Sequence, residues 1–231
     1  MDTLNARSLQ QIKNLSSFTL PQLEKLAANL TIRRFRRNDT IFDQGEEAKF
    51  VYLLLSGVVR LSYVSGNERE TIVSLVPGGE FFGLDALEPK AHHPFRCDAF
   101  EDCSVGGVRA QLFIEILLGV SYEHFLRWYC AAIDPGKKMY VHCIRGIGLD
   151  LRRRLALELM HLAERFGKTH NRGVMIGINI SHELLAGLVG ASRQQVTEHV
   201  NELDREKVIS RDGRRIIVNL PKLRRIVGIT P

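Results

Sequence analysis

The segment Ile180-Ser-His-Glu-Leu-Leu-Ala-Gly-Leu-Val-Gly-Ala-Ser-Arg-Gln-Gln-Val-Thr-Glu-His-Val-Asn-Glu-Leu203 constrains the fold more than any other stretch of the chain. Ser181 is placed to cap a first helix whose apolar face is Leu184, Leu185 and Leu188. Gly190 permits the left-handed backbone that a sharp interhelical turn demands. Ser192 opens a second helix with Gln195 three residues on, the spacing of a capping box, and Val196, Val200 and Leu203 form its buried stripe. Arg193, Gln194, Thr197, Glu198 and Asn201 are left on the outer face. Such groups can address base edges in a major groove: Arg the guanine O6 and N7, Gln the adenine N6 and N7, Glu the cytosine amino group, and the Thr methyl the thymine methyl. Paired helices of this kind also occur in folds that never touch nucleic acid, so the reading needs support from the rest of the chain.

That support comes from the flanking residues and from charge. Val208-Ile-Ser210, the turn Arg211-Asp-Gly-Arg214 and Ile216-Ile-Val218 read as a hairpin with Asp-Gly at its tip, a pair that accepts positive φ. A basic hairpin after a helix-turn-helix is a winged helix. Ser192, Arg211, Arg214 and Arg215 are then the candidates for phosphate contacts, which set register without reading sequence. Of 32 basic and 26 acidic side chains, 17 of each lie in residues 1–148, which leaves 15 basic against 9 acidic in residues 149–231. All the excess positive charge collects beside the winged helix, as a polyanion partner such as double-stranded DNA requires.

The first part of the chain has a different period. Residues 4–30 read as two short helices, with Pro21 at a helix start. Short β-type runs follow at Thr31–Phe35, Thr40–Phe42, Val51–Ser56, Val58–Val64, Glu70–Leu75 and Ser104–Arg109, punctuated by glycines. Strands at such spacings predict an antiparallel sandwich or jelly roll. From Ser121 the period is helical again. Tyr122, Leu126, Tyr129, Ile133, Tyr140, Ile144 and Ile147 recur at coiled-coil spacing, a seam that either packs on its own domain or pairs with its twin across a dimer axis, and the second is favoured. Asp134-Pro135-Gly136 interrupts the seam, so a kink or a restart is expected there. Leu149–Phe166 reads as a further helix and Gly167–Gly173 as a loop.

Other classes find no footing. Cys97, Cys103, Cys130 and Cys143 form no C-x-x-C pair, so neither a disulfide framework nor a zinc or redox motif is read, and no metal or cofactor is called for. No G-x-S-x-G, H-E-x-x-H, P-loop or G-x-G-x-x-G is present, which speaks against an enzyme. There is no apolar run of membrane-spanning length and no apolar signal-peptide centre, so the cytoplasm is the expected location.

Asp43-Gln-Gly-Glu46, Tyr52-Leu-Leu-Leu-Ser-Gly57, Gly78-Gly-Glu-Phe-Phe-Gly83, Leu149-Asp150 followed by Arg154, and Gly190-Ala-Ser-Arg193 with a glycine-tipped wing occur in an order that resembles the catabolite-activator/FNR (CRP/FNR) family of bacterial transcription regulators. The resemblance covers nearly the whole chain. It implies an α+β protein with an N-terminal antiparallel β-roll of the cyclic-nucleotide-binding type (1–120), a dimerisation helix (121–148) and a C-terminal winged helix-turn-helix domain (149–231, with the helix-turn-helix at about 181–203). It also implies a homodimer on a palindromic promoter site, with RNA polymerase as a further partner. The basic run Arg33-Arg34-Phe-Arg36-Arg37 matches a region with which some relatives touch the polymerase; a solvated strand edge is the other reading.

Departures from the family pattern bear on the effector. Cyclic-AMP-binding members use a glutamate after the G-E-x-x-G turn and an Arg-Ser pair on the phosphate; here the positions hold Leu84 and His93-Pro94, with Arg96 as a substitute cation. Met139 and Tyr140 stand where small hydroxyl residues would face the base. The candidate effector pocket is therefore Glu80, Leu84, His93, Arg96, Met139 and Tyr140, for a small molecule other than cyclic AMP. No cysteine precedes Cys97, so the N-terminal iron–sulfur ligands of FNR-type members are absent. The alternative function is a cyclic-nucleotide-binding-like module acting on a partner protein, which leaves the charge beside the wing unexplained.

Overall fold

The computed structural model describes residues 5–16, 18–66, 70–119 and 121–228. The chain forms two compact units, residues 1–137 and 138–231. In the first, α1 (Ala6–Gln10) and α2 (Leu20–Asn29) precede eight strands: β1 (Thr31–Phe35), β2 (Thr40–Phe42), β3 (Phe50–Ser56), β4 (Val58–Val64), β5 (Glu70–Pro77), β6 (Phe81–Phe82), β7 (Arg96–Ala99) and β8 (Cys103–Arg109). α3 (Ala110–Leu118) and α4 (Tyr122–Gly146) follow.

The strands make two antiparallel sheets, ordered β1-β8-β3-β6 and β2-β7-β4-β5. Phe42, Leu54, Val59, Val76, Phe82, Cys97 and Val105 fill the space between them. A second core lies on the other face of the first sheet, where Val51 and Leu53 meet Leu9, Leu23, Leu26, Phe113 and Trp128 of the helices. β3 thus buries both of its faces, which is why Val51–Leu55 reads as an unbroken apolar run rather than an alternation. The turn into β4 needs Gly57: its φ is +86°, and a Cβ there would lie 2.5 Å from the Asp102 carbonyl oxygen.

The expected strands are all present, with small shifts at their ends. β6, β7 and α3 were not anticipated. β6 is only two residues long, and β7, in which Arg96 and Asp98 alternate with Cys97 and Ala99, is only four, so neither is long enough to carry a usable period. The restart expected at Pro135 does not occur: helical residues run without interruption from Tyr122 to Gly146. Proline removes one hydrogen bond, and the helix is held elsewhere by Trp128, whose ring meets Phe113 at 5.6 Å between centroids. Residues 121–148, expected as one segment, contribute to both units.

The second unit contains the end of α4, then α5 (Leu151–Phe166), β9 (Gly167–His170), β10 (Gly173–Ile176), α6 (His182–Val189), α7 (Arg193–Arg205), β11 (Ile209–Asp212), β12 (Arg215–Val218) and α8 (Leu220–Val227). Asp150 caps α5, its Oδ1 accepting from the Arg153 amide at 2.9 Å. Leu155, Leu159 and Leu162 form the buried stripe of α5. Gly167–Gly173, read above as a loop, is instead the first strand and turn of a hairpin, because β10 pairs with β12 and so extends the wing into a four-stranded sheet, β11-β12-β10-β9. No helix among the described residues is long and apolar enough to cross a membrane.

Candidate nucleic-acid interface

α6 ends at Gly190 (φ +64°, ψ 45°), whose amide bonds back to Ala186 O, and Ala191 N reaches the same oxygen at 3.1 Å. α7 then starts on the capping box. Ser192 Oγ accepts from the Gln195 amide at 3.2 Å and Gln195 Oε1 accepts from the Ser192 amide at 3.1 Å. Val196, Val200 and Leu203 are buried, and this fixes which face of α7 is turned outward.

Arg193, Gln194, Glu198 and Asn201 lie on that exposed face. Arg193 has no side-chain partner among the described residues, whereas Gln194 Nε2 donates to Glu198 Oε1 at 3.3 Å. Thr197 is half-buried and its hydroxyl donates to Arg193 O at 2.8 Å. The bond leaves the methyl group of Thr197 as its unengaged end.

The wing turns one residue later than its Asp-Gly pair indicated. Asp212 pairs with Arg215, so Gly213 and Arg214 form the two-residue tip, with Gly213 at φ +56°. Arg211 and Arg214 are exposed; Arg215 is half-buried.

His182 joins wing to reading helix, and the sequence reading passed over it. Arg211 Nη2 donates to His182 Nε2 at 3.0 Å, which assigns the ring proton to Nδ1, and Nδ1 lies 2.8 Å from Thr197 Oγ1. Donors and acceptors then alternate from Arg211 through His182 and Thr197 to the Arg193 carbonyl. Only a neutral imidazole completes this chain. Partial burial first, then the nearby Arg211 and Arg193 charges, push the His182 pKa below its ordinary value. Arg172, in the β9–β10 turn, donates to Arg211 O at 3.4 Å and adds an exposed cation to the same surface. The signal for Arg172 was the Asn171-Arg172-Gly173 turn; for His182 there was none, since its partners lie on two other elements.

Residues 32–119 match the cyclic nucleotide-binding domain family, and residues 153–226, the unit with these helices and this wing, match the Crp-like helix-turn-helix domain family. The chain belongs to the CRP/FNR family of transcription regulators. Similar members include the transcriptional regulator LdrP of Thermus thermophilus, 28% identical over 198 residues that cover 85% of this chain and 97% of that protein. The global nitrogen regulator of Synechococcus elongatus is 29% identical over 222 residues, covering 92% and 93%. Among solved structures, a CRP-family transcriptional regulator from Thermus thermophilus, TTHB099, has a TM-score of 0.67 at 26% identity, covering 85% of this chain and 96% of its own. As a CRP/FNR member the chain is a DNA-binding regulator and not an enzyme.

Of the residues considered for an effector, Glu80, Leu84, His93 and Arg96 belong to the first unit and Met139 and Tyr140 to the second. Glu80 and Leu84 share a small cleft with Asn14, Phe81, Trp128 and Pro135, and Glu80 is already engaged with a neighbour. His93 is buried, its ring stacked on Phe42 at 3.7 Å and its Nδ1 3.5 Å from Asp85 Oδ2. Arg96 is committed elsewhere: Nε lies 3.0 Å from Asp98 Oδ1 and Nη2 donates to Thr40 Oγ1 at 2.7 Å. The bond to Asp98 raises the Arg96 pKa further. Met139, half-buried, and Tyr140, exposed, belong to the second unit.

Proposed function

We propose that the protein works as a homodimer on a palindromic promoter site, each copy laying α7 in a major groove. Arg193 reads a guanine, while Gln194, Thr197 and Glu198 address neighbouring bases. Ser192, Arg211, Arg214 and Arg215 hold phosphates. The observation that carries this is the unpartnered, exposed Arg193 at the start of a rigidly capped helix, with the wing arginines on the same unit. The dimer is supported by α4, where Tyr122, Leu126, Tyr129, Tyr140, Ile144 and Ile147 remain exposed in the single chain, Tyr122 by 77% and Ile147 by 79%, with Ile133 half-buried. An apolar seam of that spacing is covered by a second copy at low cost. Arg33 and Arg34, exposed on the edge strand β1, are the surface offered to RNA polymerase.

The effector of this reading is a small molecule other than cyclic AMP. A nucleotide phosphate needs a free cation or amide, and here Arg96 is held by Asp98 and Thr40 while Pro94 has no amide hydrogen. Selection of the full-length protein on random duplexes tests the whole reading. The expected product is two inverted half-sites centred about 34 Å apart, with a guanine whose selection disappears in Arg193→Ala. An asymmetric site, or a site unchanged by that substitution, overturns it.

A further inference from the structure

Away from the reading helix, the second unit holds a cleft of about 340 Å³ between the end of α4, the first half of α5 and the end of α6. Arg154, Leu157 and Glu158 enter it from one face of α5, His142 from α4, and Leu188 and Val189 from α6. One turn apart on a helix, Arg154 and Glu158 are natural ion-pair partners. They are not paired. Glu158, 5% exposed, places Oε2 at 2.6 Å from His142 Nε2, and the His142 ring stacks at 4.5 Å on His161, which burial keeps neutral with a pKa lowered to about 4. Arg154 is left half-buried, its Nε enclosed and without a hydrogen-bond partner, and its guanidinium without a carboxylate, among the described residues. A guanidinium with an enclosed, unpaired N–H and no carboxylate is costly until an acceptor meets it.

We propose that this cleft is a binding site for a small organic monocarboxylate. The planar guanidinium of Arg154 takes the carboxylate in two parallel hydrogen bonds, and the apolar body of the ligand lies against Leu157, Leu188 and Val189. The volume matches the lower end of small-molecule sites. The buried Glu158 carboxylate sets the charge limit: it repels a second negative charge in the same cleft, which disfavours a phosphate monoester dianion. The residues that join α4 to α5, Gly146 to Gly148, also line the cleft, so the ligand touches the joint itself. None of the residues assigned to DNA and none of the candidate effector residues lines the cleft.

Calorimetry of the full-length protein with benzoate, benzamide and phenyl phosphate tests it. Saturable uptake of benzoate is expected, at least about tenfold tighter than either control, which is about 1.4 kcal/mol. Arg154→Gln should abolish benzoate uptake, and Leu188→Trp, which adds bulk to the cleft lining, should do the same without removing the cation. Glu158→Gln should bring phenyl phosphate toward the affinity of benzoate. Equal affinity for benzoate and benzamide overturns the proposal. So does benzoate uptake that survives Leu188→Trp, or none at all at about 10 mM ligand.

Discussion

The reading helix and the β-roll both concentrate charge, and they arrange it in opposite ways. On α7, Arg193 points to solvent without a partner, and Gln194 and Glu198 share one exposed bond at 3.3 Å. On the roll, Asp98 is 2% exposed and accepts from Thr40 at 2.9 Å, Arg60 at 3.2 Å and Arg96 at 3.0 Å, while Arg60 also reaches Glu70 at 3.3 Å. Hydrated side chains exchange water for a base edge at little cost. A buried carboxylate with three donors cannot release one without leaving itself undersatisfied. On the proposed reading, the exposed face of α7 is ready to meet DNA without breaking internal bonds, whereas Arg96 would have to give up Asp98 and Thr40 to meet a phosphate.

The sharpest way to break this comparison is Arg193→Ala. A bidentate arginine–guanine contact is worth about 1–3 kcal/mol of discrimination per half-site, and a dimer loses it twice. The ratio of specific to non-specific affinity should therefore fall by about 5- to 150-fold per half-site, with melting unchanged. Titration of operator and scrambled duplexes at one salt concentration measures both affinities.

Asp98→Ala should behave in the reverse sense. Two half-buried arginines lose their shared carboxylate, which costs about 2–3 kcal/mol of stability in the roll. The chain has a single tryptophan, Trp128, in the first unit, so its fluorescence follows that unit alone. Its urea midpoint should drop while the specificity ratio stays at the wild-type value. A lowered ratio in this variant would show that the two charge systems are coupled.

The smallest expected effect belongs to His182, which is a structural hydrogen-bonding group placed among the proposed DNA contacts. Its pKa is lowered in the folded protein, so the link from Arg211 to Thr197 is fully present above the ordinary histidine pKa and is lost as pH falls through the lowered value. A hydrogen bond is worth about 1 kcal/mol, so operator affinity should weaken by about fivefold as the pH falls through that lowered value. His182→Ala should show the weaker affinity at all pH values and a flatter profile. Equal profiles for the two proteins would remove His182 from the interface.

The helix-turn-helix was legible because its determinants are local: the Ser192 and Gln195 capping box, the left-handed Gly190 and the Val196, Val200 and Leu203 stripe all act within a few residues of one another. The same holds for β3 and β4, marked by their apolar runs and by Gly57 between them. Pairing at a distance was not legible. The register of the wing is set by β10, where Met175 faces Ile217, so the hairpin closes at Asp212 and Arg215 although Asp-Gly favours an earlier turn. The β9–β10 hairpin, polar along Lys168–His170, exists because β12 offers it a free edge. His182, Asp98 and the unpaired Arg154 gain their properties from residues on other elements. By itself, then, the sequence determined the helix-turn-helix, with its caps, its interhelical turn and the exposed face of α7, since backbone torsion and amphipathic period are short-range. Only the tertiary structure decided which charges are satisfied and which remain free, since burial and partnership depend on what the folded chain brings alongside.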